Sequence, residues 1–254
     1  MSQLNFIFFS TLIAILIWMA SPSVKGFVNN DVHSTLPLVE YEARYTVNWR
    51  GLYAGESIHK LHRRSDGQYH FETRTAPQLA FLPYNYRESS DFTYQEGKIK
   101  PHNYYYNIQE GTKRKSGNVS FNWQQNTLYN KELSEPWETT IPEDVQDKLT
   151  HTLSLRQALK MGQAIPTFTV AEEDKLKDYS FTILGHERLN TKIGVMDTVK
   201  VEHISRRGNR TTLWLAKSLD YTPVKMMQKR QGKVVAGGEI LSFVPQLHQE
   251  GTQG

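Results

Sequence analysis

From Val39 to Trp49 every odd position is apolar (Val39, Tyr41, Ala43, Tyr45, Val47, Trp49), while the even positions are Glu40, Glu42, Arg44, Thr46 and Asn48. Alternation with period two predicts a β-strand that turns one face to a core and the other to water. A turn at Ser65-Asp66-Gly67 then sets Leu61 opposite Phe71, Lys60 opposite Glu72 and His62 opposite His70. Apolar meets apolar and cation meets anion in one register, which predicts a hairpin. Turn-forming residues recur at Glu96-Gly97, Gln124-Gln125-Asn126, Arg207-Gly208-Asn209 and Gln231-Gly232, between segments rich in β-branched and aromatic residues. Sequential hairpins of this kind make an antiparallel meander.

One stretch departs from that pattern. After Pro142-Glu143-Asp144 the apolar residues fall at Val145, Leu149, Leu153, Leu155 and Leu159, and spacings of four predict an amphipathic helix over about residues 143 to 161. Glu143, Asp144 and Asp147 lie early and Arg156 and Lys160 late, as the helix dipole favours, and Gly162 ends the run. Strands resume from Thr167 to Val170, Tyr179 to Leu184, Val195 to Ile204, Thr211 to Ala216, Thr222 to Lys229 and Lys233 to Phe243. The expected fold is mainly β, an antiparallel meander forming a curved sheet or half-barrel with one central amphipathic helix as its plug. A single β-rich domain over residues 36 to 245 is favoured, with two sheets meeting at the helix as the alternative. Gly237-Gly238 lies within a strand pattern, so it reads as a bulge or a close backbone approach. Arg156 projects into the apolar stripe of the helix, and a buried cation requires a carboxylate partner, with Glu187 or Glu56 the first candidates.

The first residues differ in kind. Leu4 to Ala20 is almost continuously apolar and is broken by Ser21-Pro22-Ser23, which reads as a signal peptide over residues 1 to 26 with Phe27 as the mature N-terminus. The segment lacks Lys or Arg at its start, so a retained membrane anchor is the alternative. Either way a periplasmic address is expected. Residues 27 to 35 and 246 to 254 read as flexible ends. The chain has no Cys, which excludes disulfides, a thiol nucleophile, thiolate zinc sites and lipid attachment through cysteine. Thirty basic against twenty-six acidic residues give a net charge of +4. Lys113-Arg114-Lys115, Arg206-Arg207 with Arg210, and Lys229-Arg230 sit beside turns, as solvated hairpin ends or as contacts for anionic lipid head groups.

The residues also resemble a known family, the bacterial exported proteins grouped as domain of unknown function 3108. The resemblance rests on Trp49-Arg50-Gly51-Leu52-Tyr53-Ala54-Gly55-Glu56, Asp147-Lys148-Leu149, Leu155-Arg156, Gly185-His186-Glu187, Thr191-Lys192-Ile193-Gly194, Arg210-Thr211-Thr212-Leu213-Trp214-Leu215-Ala216 and Tyr221-Thr222-Pro223-Val224. It implies an envelope protein without an established activity and a β-rich fold similar to the helix-plugged half-barrel of lipoprotein carriers such as LolA. The family supplies no catalytic residues.

No Gly-x-Ser-x-Gly, Ser-x-x-Lys or His-Glu-x-x-His motif occurs, and neither a catalytic residue, a cofactor nor a metal is assigned. His59 and His62 point to opposite faces of a strand, and His62 with His70 lacks a third ligand. Glu172-Glu173-Asp174 reads as a solvated loop. The candidate binding residues are Tyr45, Trp49, Arg156, Glu187, Arg210, Trp214 and Met226, aromatic and adaptable side chains on strands together with the core-facing cation. They suggest a non-enzymatic binding module for a lipidic or hydrophobic envelope component or a partner protein, not for nucleic acid. The alternatives are an envelope hydrolase acting on glycan or peptide, which requires Glu187, His186 and Arg210 to gather in a cleft, and a structural scaffold with a filled core.

Overall fold

The computed structural model describes residues 38–77 and 84–246, all within a compact unit spanning Thr35–Gly254. Residues 1–26, which read as a signal peptide, residues 27–35 and residues 247–254 lie outside the described residues. The strands are β1 (Tyr41–Trp49), β2 (Leu52–Arg63), β3 (Tyr69–Pro77), β4 (Tyr84–Gln95), β5 (Lys98–Glu110), β6 (Lys113–Asn122), β7 (Thr127–Asn130), β8 (Trp137–Thr140) and β9 (Gln146–Asp147). The helix α1 (Thr150–Lys160) follows, then β10 (Phe168–Ala171), β11 (Leu176–Tyr179), β12 (Phe181–Thr191), β13 (Gly194–Ile204), β14 (Arg210–Ala216), β15 (Thr222–Arg230) and β16 (Lys233–Pro245).

Thirteen strands form one antiparallel sheet in the order β12-β13-β14-β15-β16-β1-β2-β3-β4-β5-β6-β7-β8. It is not closed into a barrel: β12 and β8 are its edges. Each half is a meander of local hairpins, and the pairing of β16 with β1 joins them across the length of the chain. The register expected for the β2–β3 hairpin is present, with Leu61 opposite Phe71, Lys60 opposite Glu72 and His62 opposite His70. Along β5 the buried Tyr104, Tyr106 and Ile108 alternate with exposed residues, as a strand with one wet face requires. At the β1–β16 seam, Gly238 lies under the Thr46 carbonyl so closely that a methyl group there would overlap it. The Thr46 hydroxyl donates to the Glu239 carbonyl (3.3 Å) and accepts from the Glu239 N–H (3.0 Å), pinning a register that shifts at Arg44/Tyr45. The glycine pair is thus a close backbone approach, as its strand context suggested.

Two expectations need correction. The helix starts at Thr150, seven residues later than the apolar spacing suggests. Val145 and Leu149 are buried, but ahead of the helix, because Asp147 stops it: its Oδ1 accepts the N–H groups of Leu149 (2.7 Å) and Thr150 (2.8 Å), and Thr150 Oγ1 accepts the Asp147 N–H (2.9 Å). This reciprocal pair satisfies amides that the first turn leaves open. At the other end Gly162, at φ 63°, lets Gln163 N–H reach the Ala158 carbonyl (2.9 Å) and close the last turn. The second correction is that β9, β10 and β11 leave the meander and form a separate three-stranded sheet, in which β9 and β10 run parallel.

The helix belongs to both halves of the core. Leu153 packs with Tyr41, Leu61, Phe92, Tyr104 and Leu128 from the N-terminal strands. Leu155 and Leu159 pack with Val199, Val201, Leu213 and Leu215 of β13 and β14 and with Phe168 and Val170 of β10. Each fully buried leucine contributes about 1.5–3 kcal/mol of apolar transfer energy, so α1 ties the two meanders together by side-chain burial.

Candidate functional site

Arg156 is the expected core-facing cation, only 2 % exposed. Its partner is neither Glu187 nor Glu56 but Asp220. Nη2 lies 3.2 Å from Asp220 Oδ2, Nε donates to the Asp220 carbonyl (3.0 Å), and Nη1 donates to the Tyr41 hydroxyl (3.3 Å). The guanidinium also sits over the Tyr41 ring at 5.2 Å. Lys160, one turn later, reaches the other Asp220 oxygen at 2.6 Å. Asp220 occupies a left-handed position (φ 52°) between β14 and β15, a conformation that Asp adopts more readily than most residues, and this turn carries the carboxylate under the helix. Burial pushes the Tyr41 phenol up, partly offset by Arg156, so Tyr41 stays a neutral donor and acceptor. Tyr45, buried nearby, is raised in the same way.

A second polar cluster surrounds the start of α1. The fully buried Asp147 carboxylate accepts the Ser90 hydroxyl on Oδ2, and burial pushes its pKa up to about 6 against the hydrogen bonds that pull it down. The Lys148 ammonium bridges Glu88 (3.0 Å) and Glu173 (3.1 Å), and Tyr104 donates its hydroxyl to Glu88. Burial disfavours the charged form of Lys148, but the two carboxylates outweigh it and raise the pKa, so the ammonium stays charged. Glu172 is 7 % exposed, accepts the Tyr179 hydroxyl (2.8 Å) and pairs with Lys177 (2.6 Å). The acidic run is therefore not a solvated loop: Glu172 and Glu173 are internal counter-ions for lysines on neighbouring elements. Burial holds the His151 imidazole near a pKa of about 4, in the neutral form, where its Nδ1 lies 3.2 Å from the Asp147 carbonyl. Charge in sequence gives no sign of the Lys148 pairings, because Glu88 and Glu173 lie 60 and 25 residues away, and the Glu172 pairings depend on the pairing of β10 with β11.

The remaining candidates lie on β12, β14 and β15, apart from Trp49 at the end of β1, and divide between two faces. Trp214, 4 % exposed, donates its indole N–H to Glu187 (2.8 Å). The ammonium groups of Lys200 and Lys225 lie 4.9 and 5.6 Å from its ring, and they pair with Glu187 (3.2 Å) and Glu239 (2.6 Å). The indole hydrogen bond and Lys200 hold the Glu187 carboxyl below its usual range. The structure therefore brings Glu187 and Trp214 together, and shows the missing members to be Lys200, Lys225 and Glu239, paired across strands in register. Arg210 sits at the end of β14, paired with Glu202 (2.8 Å). His186, next to Glu187 on β12, points to the other face, so Glu187, His186 and Arg210 do not gather. Met226 pairs with Leu213 on that other face and is exposed, and Trp49 is exposed at the β1–β2 turn beneath Arg50. His62 faces His70 at 5.2 Å between ring centres, but His70 pairs with Asp91 (2.6 Å), which Arg64 also contacts. Among the described residues no three His, Asp or Glu side chains converge as metal ligands. A polar cleft of about 380 Å³ lies beside β6, lined by Tyr106, Arg114, Lys115, Glu132, Glu173 and Asp174.

The fold is shared with a beta-barrel-like protein of domain of unknown function DUF1849 from Brucella abortus, with a TM-score of 0.54, 11 % sequence identity, and coverage of 83 % of this chain and 99 % of that one. Weaker similarity extends to MucB in its complex with MucA from Pseudomonas aeruginosa, with a TM-score of 0.36, 11 % identity, and 85 % of this chain aligned to 54 % of the other. The chain thus spans about half the length of MucB. No curated protein matches the sequence. The family model described as protein of unknown function (DUF3108) matches residues 44–232, and the chain belongs to that family.

Proposed function

We propose that this protein is a non-catalytic binding module of the cell envelope, exported by its N-terminal leader, that holds a hydrophobic segment of an envelope protein on the edge of its sheet. The observation that carries this reading is a contrast between two places for such a partner. Beneath α1 the space is taken by the protein itself, with Tyr41, Leu153 and Arg156 no more than 2 % exposed. At the edge strand β12, Ile183 and Leu184 are half exposed (49 % and 50 %), and the outer side of β12 has no strand partner among the described residues. An unpaired edge with apolar side chains accepts an added strand by main-chain hydrogen bonds. The bulge at Ile183–Gly185 and the charged Glu187 and Arg188 confine that capacity to the first residues of β12 and disfavour edge-to-edge aggregation. The ionisable groups under and around α1 are engaged as counter-ions and a helix cap, which supports binding over hydrolysis.

A photo-reactive residue at position 183, in protein expressed in its native envelope, should give one predominant protein adduct. Leu184→Asp should remove it without lowering the urea midpoint. A lipid bound in stoichiometric amount on native mass spectrometry, with no protein adduct at position 183, would overturn the reading.

A further inference from the structure

The hairpin turns β13–β14, β15–β16 and β1–β2 lie side by side on one end of the sheet, because the pairings Ile204 with Arg210, Arg210 with Lys229, Arg230 with Lys233, and Trp49 with both Ala236 and Leu52 all fall there. A hydrogen bond from the Arg50 N–H to the Val235 carbonyl (3.1 Å) ties the last two turns together. This rim of six adjacent strands extends over about 24 Å, at roughly 4.8 Å per strand. It carries Arg50, Arg206, Arg210, Lys229, Arg230 and Lys233. The carboxylates on the same strand ends are Glu202, which pairs with Arg210 and accepts from Thr212, and Glu56, at hydrogen-bonding distance from Tyr53 (3.5 Å). Between the cations stand apolar side chains with no core to enter: Trp49 at 38 %, Leu52 at 54 %, Tyr53 at 43 %, Ile204 at 50 % and Val234 at 48 % exposure. The opposite ends of these strands mix signs, with Glu40, Arg64, Asp66, Lys217 and Asp220.

We propose that this rim docks on a phospholipid bilayer bearing anionic head groups. A line of cations suits a surface of repeated phosphates. Trp49 and Tyr53 are the residue types that settle at the level of the head groups, and Leu52, Ile204 and Val234 reach just below it. The arginine and lysine stems lie along the apolar tips while their charged ends stay in the polar layer. The first residues of β12 adjoin one end of this rim, because Phe181 pairs with His203 beside Ile204, so a strand added at the β12 edge would run alongside the membrane-facing turns.

The test is flotation of the chain lacking its first 26 residues with vesicles of phosphatidylcholine, alone or mixed equally with phosphatidylglycerol. Binding should be at least about tenfold tighter to the anionic vesicles and should weaken with salt. Lys229→Glu, Arg230→Glu and Lys233→Glu combined should weaken it about a hundredfold, from roughly fivefold per cation. Trp49→Ser with Leu52→Ser should also weaken it, at an unchanged unfolding midpoint. In the unaltered protein, brominated lipids should quench tryptophan fluorescence, and Trp49→Phe should remove that quenching. Equal binding to neutral and anionic vesicles, or quenching that persists without Trp49, would overturn the proposal. So would variants that bind like the parent, or salt-sensitive binding to an acidic protein with none to vesicles.

Discussion

The structure contains a similar assembly twice, carboxylate–cation pairs set beside an aromatic ring, in opposite surroundings. Under α1, Arg156, Lys160, Asp220 and Tyr41 form it in the interior, with Arg156 and Tyr41 each 2 % exposed. On β12–β15, Lys200, Lys225, Glu187 and Trp214 form it near water, with the Glu187 side chain 43 % exposed. Taking a charge out of water costs several kcal/mol and leaves it no alternative partner, so the interior cluster has one arrangement and serves to seat the helix. The exposed cluster loses little when a pair opens, because water replaces the partner. Two assemblies with similar chemistry thus differ in what they can do: one specifies the fold, and the other remains free to exchange its partners.

The largest test of that contrast is Asp220→Asn. Asn tolerates the left-handed backbone, so the substitution removes charge with little strain and leaves Arg156 buried with no counter-ion. Stability in urea should fall by about 3–5 kcal/mol. Adding Arg156→Met should recover much of the loss, because an apolar side chain of similar length requires no partner. Next in size is a pH effect. The Asp147 carboxyl binds its proton more tightly in the folded protein, where its pKa is about 6, than in the unfolded chain, where it takes the ordinary value of 3.8. A group raised by folding contributes stability that is complete below the lower value and is lost as pH rises through the upper one. From about pH 3 to about pH 7 this residue should therefore remove on the order of 3 kcal/mol in all, at about 1.4 kcal/mol per pKa unit, most of it between the two pKa values. Asp147→Asn, whose oxygen can still accept the two helix amides, should flatten that slope in urea titrations. At the seam, Gly238→Ala should cost about 1–3 kcal/mol by pushing β16 away from the Thr46 carbonyl.

How far each cluster was legible in sequence follows from the range of its contacts. The hairpin registers, the Glu96-Gly97 and Gln231-Gly232 turns and the placement of Arg156 on the core face all follow from periodicities within a few residues. Asp220 is not legible, because a turn residue 64 positions away reaches Arg156 only through the docking of α1 on β14–β15. Lys148 with Glu88 and Glu173 fails for the same reason, and the acidic run before β11 looks like a solvated loop until its partners are in place. The late helix start shows the reverse case. Apolar spacing continues smoothly through Val145 and Leu149, since both are buried, and a local side-chain competitor, Asp147, decides where helical hydrogen bonding begins. Sequence singles out Glu187 as a counter-ion for Arg156 and Trp214 as a strand aromatic, and their joint site depends on the β12–β13–β14 register.

The smallest expected effect sharpens the contrast most. Glu187→Gln leaves an acceptor oxygen for the Trp214 indole but removes the charge that Lys200 pairs with. If the cluster on β12–β15 is held no more strongly than an ordinary surface pair, stability should change by less than about 0.5 kcal/mol. One readout should still move: the indole loses a charged acceptor, so Trp214 emission should shift. Applied to the interior cluster, the same loss of one negative charge is Asp220→Asn, with its cost of several kcal/mol. Equal losses of stability from the two substitutions would mean that Trp214 and its ion pairs are as fixed as the helix clamp, and the distinction between a folding cluster and an exchangeable one would fail.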